Sequence, residues 1–136
     1  MRDLPLYLPE GLYLKALTIS PDFDVISDIM QRALVLLVCH DDPALRVDGK
    51  SIMDFLEQTT TAGVSAAVTQ LSDIADTLKK YLNAGYLKID KVRTINDAVV
   101  SSVYFEVEVT GSTAIVNLVI KQADKEAEST TVYKYE

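Results

Sequence analysis

Cysteine is almost missing from this chain. Cys39 is the only one in 136 residues, so no disulfide can form within it. It lies in the apolar run Leu36-Leu37-Val38-Cys39, which reads as a buried structural thiol rather than a nucleophile. Histidine is equally scarce. His40 follows Cys39 directly, but neighbours on a helix diverge and do not share a face. The chain has no glycine-rich phosphate loop, no paired-cysteine zinc pattern and no Gly-x-Ser-x-Gly. Basic charge is short as well: 13 Lys and Arg stand against 20 Asp and Glu, a net charge of -7. Nucleic acid and anionic membrane surfaces both call for a basic face, so both are disfavoured as partners. Solubility, or docking on a basic partner patch, is the permitted reading. The longest apolar run, Ala33 to Cys39, falls far short of the roughly 20 residues of a membrane span. Met1-Arg2-Asp3-Leu4-Pro5 lacks the apolar core of a signal peptide, so the expected place of synthesis is the cytoplasm.

What is present fits one domain with one core. Residues Met1 to Ser20 mix Pro5, Pro9 and Gly11 with Leu4, Leu6, Tyr7, Leu8, Leu12, Tyr13 and Leu14. Prolines that close together forbid a long helix, and the apolar content speaks for an arm lying on a surface. Ser20-Pro21 is the signal for the first helix, and Val25, Ile26, Ile29, Met30, Ala33, Leu34, Leu37 and Val38 recur at helical spacing. Asp28, Gln31 and Arg32 are its expected wet side. His40-Asp41-Asp42-Pro43 ends it. Consecutive residues seldom converge on a cation, so this stretch reads as a solvated turn. Val47-Asp48-Gly49-Lys50 is a turn, Ser51 caps a short helix to Gln58, and one amphipathic helix is predicted from Ser65 to Leu82, closed by Asn83-Ala84-Gly85.

The period then changes from 3.6 to 2. Strands are predicted at Leu87–Ile95, Val99–Val109 and Ile115–Ile120, with a hairpin at Thr110-Gly111-Ser112-Thr113. Gln122 to Ser129 is a charged linker. The terminal segment alternates Thr131, Tyr133 and Tyr135 against Val132 and Lys134. The expected class is α+β: an N-terminal arm and three helices packed on a small antiparallel sheet, with a C-terminal extension strand. The divisions are 1–20 for the arm, 21–121 for the domain, and 122–136 for the linker and strand.

A strand on a polar tether is suited to pairing with a sheet edge, its own or another molecule's. With the first three strands forming a sheet, the last is expected to leave it and exchange with neighbours. Removal of everything after Lys121 is then expected to leave a folded monomer. The candidate partner-binding residues are Leu6, Tyr7, Leu12 and Tyr13 in the arm, and Val132, Tyr133 and Tyr135 at the other end. Among carboxylates, Glu57, Glu106 and Glu108 are the ones a glycosidase reading would use, and all read as solvated surface. No enzyme activity, cofactor or metal is expected.

The element order carries a resemblance. An arm leads to Asp28-Ile29-x-Gln31-x-Ala33-x-x-Leu36-Leu37, then a loop, a short helix, an amphipathic helix, and Leu87-Lys88-Ile89-Asp90-Lys91-Val92 with a hairpin. From about Phe23 to Lys121 this resembles the baseplate wedge and sheath-initiator proteins of contractile-tailed phages, the lysozyme-like wedge family, which has a relative in type VI secretion. Where that family has a Gly-Glu-Arg-type turn, this chain has Cys39-His40-Asp41-Asp42-Pro43, and its Glu-Pro-Arg triplet is replaced by Asn83-Ala84-Gly85-Tyr86. The resemblance implies a structural virion component of the tail baseplate, assembled in the host cytoplasm in multiple copies in a ring. It would link wedge subunits to the tail sheath around the tube and seed sheath assembly. The alternatives are another tail or neck completion protein, or a cell-wall glycan hydrolase.

Overall fold

The computed structural model describes residues 14, 17, 20, 23–39, 42–85 and 99–135, with 38 and 39 described by backbone alone. The arm residues Leu6, Tyr7, Leu12 and Tyr13, and the strand expected at Leu87–Ile95, lie outside these. A 3-10 turn at Phe23–Val25 leads into helix α1 (Asp28–Cys39). The helix starts later than the Ser20-Pro21 signal suggests, because two serines divide the work. Ser20 opens the 3-10 turn, its carbonyl accepting from Phe23 N at 3.0 Å. Ser27 caps the helix, its Oγ accepting from Met30 N at 3.2 Å. Every residue from Ile29 to Leu37 is buried, including Gln31 and Arg32. Those two do not form a wet side. Gln31 Nε2 donates to the Phe23 carbonyl at 2.9 Å, and Arg32 Nε meets the Asp28 carboxylate at 3.3 Å. Polar groups that keep a partner can leave water at modest cost.

Three further helices follow: α2 (Ile52–Glu57), α3 (Val64–Thr69) and α4 (Ser72–Asn83). Ser51 Oγ accepts from Asp54 N at 3.2 Å and caps α2 as its position predicts. The single helix expected from Ser65 to Leu82 is broken at Gln70-Leu71. Near the break Thr69 Oγ1 donates to the Ala66 carbonyl at 2.6 Å, a local bond that competes with the helical ladder. The apolar stripe survives it, with Leu71, Ile74, Ala75, Leu78 and Leu82 all buried. Gly85 ends α4 at φ +83, a left-handed position that suits glycine. Between α1 and α2, Val47 and Lys50 exchange main-chain hydrogen bonds of 2.8 and 2.9 Å around Asp48-Gly49. Both turn residues have positive φ, as this type of tight turn demands.

The sheet has three antiparallel strands in the order β1-β2-β3: β1 (Val100–Thr110), β2 (Thr113–Gln122) and β3 (Glu128–Tyr135). The α+β class is as the sequence predicts. The terminal segment does not leave the sheet, however; it closes on β2 as the third strand. On β1, Val103 and Phe105 face the core, while Tyr104 and Glu108 are exposed. β2 is the central strand, buried from Val116 to Ile120, which explains its nearly unbroken apolar run. Asn83 at the end of α4 fastens the start of β1. Its Oδ1 accepts from Val100 N at 2.9 Å and its Nδ2 donates to Val100 O at 3.0 Å.

Candidate functional site

Strand β3 pairs with β2 on one side, and among the described residues it has no neighbour on the other. Among those residues it is an edge strand, and its placement can be built up residue by residue. Glu128 stands opposite Ile120, Thr130 opposite Leu118, and Thr131 opposite Asn117. The register then jumps to Tyr133 opposite Val116, leaving Val132 as the extra residue of a bulge. That bulge overturns the simple alternation expected from the sequence. Thr130, Val132 and Tyr135 are all buried, with Tyr133 half-buried against the same core. Ser129, Thr131 and Lys134 are the exposed residues.

Three side chains stitch the strand to the helices. At its start, the Glu128 carboxylate accepts from Ser27 N at 3.0 Å and from Ser27 Oγ. Next, Thr130 Oγ1 and Ser20 Oγ share a buried hydrogen bond of 3.0 Å. At its end, Tyr135 OH donates to the Leu56 carbonyl in the last turn of α2, at 2.5 Å. The rings of Tyr133 and Tyr135 meet edge to face with centroids 4.8 Å apart. Burial, and then the neighbouring Tyr133, push the Tyr135 phenol above its ordinary value of 10.0. On the outward side, Thr131 Oγ1 donates to Asn117 Oδ1 at 3.0 Å.

The chosen C-terminal residues are thus brought together, but in a different role. Val132 and Tyr135 hold the strand down from within rather than presenting themselves outward. Sequence reasoning missed Glu128, Thr130, Ser20 and Ser27. Their pairing spans more than a hundred residues, and no local pattern signals it.

The remaining candidates stay apart. Glu57 is exposed at the end of α2; Glu106 and Glu108 face away from the core on β1, opposite Asn117 and Ile115. Asp42 is engaged. Its Oδ1 accepts from Ala44 N at 2.9 Å, and its carboxylate also accepts from Tyr81 OH, which ties the turn after α1 to α4. Among the described residues no three His, Cys, Asp or Glu side chains converge as a metal ion would require, and no helix is long and apolar enough to cross a membrane. Comparison with protein-family models, with curated proteins and with solved structures finds no match.

Proposed function

We propose that this chain is a non-catalytic assembly component of a contractile tail baseplate, linking wedge subunits to the sheath. Its joint to the sheath is a strand added along the open edge of β3. The observation that carries the joint is the combination of an edge strand and its fixation: among the described residues β3 is open on one side, and it is anchored at Glu128, Thr130 and Tyr135. An edge held rigid before binding loses little conformational entropy when a partner strand arrives. Main-chain hydrogen bonds then give strength, and the outward side chains Ser129, Thr131 and Lys134 give register. The bulge and the lysine also discourage casual edge-to-edge association, so the edge favours a strand that accommodates the break at Val132. The baseplate setting comes from the resemblance of residues Phe23 to Lys121, and the edge is the kind of joint such a ring requires.

The anchoring changes the form of the joint. Exchange of β3 itself would strip Val132 and Tyr135 from the core, whereas augmentation leaves them in place. The test is coexpression with the sheath and wedge subunits of the same source, followed by hydrogen exchange on the purified complex. Slowed exchange over residues 128–135 is expected. A complex that protects other segments and leaves β3 unchanged overturns the joint, and failure to associate with either subunit overturns the baseplate role.

A further inference from the structure

Helix α1 has an incomplete cap of its own. In a capping box, the residue three after the cap is an acid or amide that reaches back to the cap N–H. Here that residue is Met30, which has no such oxygen. Glu128 takes its place from the first position of β3. One carboxylate oxygen accepts from Ser27 N at 3.0 Å and the other from Ser27 Oγ, while that same Oγ accepts from Met30 N. Two residues further along β3, Thr130 holds Ser20. The loop between the two serines carries Phe23, fully buried, whose carbonyl accepts from Gln31 of α1. Phe23 is therefore held by α1, and the two serines by β3.

We infer that β3, Ser20 and the 23–31 segment form one latch, so that a strand engaging the β3 edge steadies the cap of α1, and loosening the cap loosens β3. The partner side of this inference rests on the edge-strand reading above; the latch itself does not. Local opening of β3 removes the outer half of the α1 cap, and opening of Ser20 and the 23–31 segment removes two of the three anchors of β3. A strand seated on β3 suppresses its opening and so firms Ser20 and the 23–31 segment. By linkage, the effect runs equally in reverse.

Hydrogen exchange on the full, unbound chain tests the latch without any partner. Ser27→Ala is expected to speed exchange in 128–131, and Glu128→Gln to speed it in 28–31, each by about three- to tenfold. The double variant should do less than the product of the singles, because both weaken the Ser27–Glu128 pairing. Effects confined to the substituted element, with the double variant equal to the product of the singles, overturn the latch. Should either variant unfold the chain, Ser20→Ala with Thr130→Val runs the same cycle on the neighbouring link, with the same two outcomes deciding. In the sheath complex, protection should extend from 128–135 to 28–31. Protection of β3 alone overturns the coupling to α1 even where the edge joint stands.

Discussion

Val132 shows how much one residue of the last strand contributes. It is 1 % exposed and shares the core face with Thr130 two residues before it, while the bulge it occupies shifts the phase so that Tyr135, three residues on, reaches the same core. Val132→Ala removes two buried methyl groups and should cost about 2 kcal/mol, read as a lower denaturation midpoint with unchanged slope. Val25, 82 % exposed, is the control: Val25→Ala should stay within about 0.5 kcal/mol of the parent. Tyr135 adds a pH-dependent contribution. Tyr135→Phe removes the hydrogen bond to the Leu56 carbonyl and should cost about 1 kcal/mol at neutral pH. Its phenol is raised above 10.0 in the folded state, so folding favours the protonated form. That contribution is complete below about pH 10 and is lost as pH rises through the raised value. Parent and variant should therefore converge in stability above about pH 10, as followed by urea denaturation across that range. If the gap between them stays constant, ionisation of Tyr135 carries no part of it.

At the scale of elements, the local signals were the reliable ones. Ser51, the Asp48-Gly49 turn, the Gly85 stop and the Gly111-Ser112 hairpin were each readable, because each depends on residues within four positions of one another. The Gly111 turn permits a direct test. Thr110 pairs with Thr113, and Gly111 is the first turn residue at φ +61, with nothing within 4 Å of where a Cβ would sit. Its need for glycine is thus a matter of backbone conformation alone. Gly111→Ala should cost about 1–2 kcal/mol and Gly111→Asn less, since Asn tolerates this region. Thermal melts of the two variants rank them; equal losses would show that conformation is not the cause. The start of α1 was misplaced for the opposite reason. Two serines of similar local promise compete there, and the choice of Ser27 is completed by Glu128 far along the chain.

The whole molecule turns on the last strand being part of the body, and here the sequence was least informative. A polar linker from Gln122 to Ser129 looks alike whether the strand beyond it folds back or departs; only the contacts at Ser20, Ser27 and Leu56 decide. Independence of the segment after Lys121 would make its removal harmless. The structure points the other way. Removal takes Val132 and Tyr135 from the core, each worth about 1.5–3 kcal/mol of burial. It also uncovers one side of β2 at Val116, Leu118 and Ile120, all fully buried in the intact chain. It strips the Glu128 contact from α1 as well. Against a typical total of about 5–15 kcal/mol, that loss is large. The chain ending at Lys121 should therefore lose cooperative unfolding or melt far below the full chain, with exposed apolar surface and a tendency to aggregate. Circular dichroism melts and dye binding measure both. A truncated chain that melts cooperatively near the parent temperature would show that β1 and β2 with the helices suffice, and would restore β3 as a strand free to be exchanged.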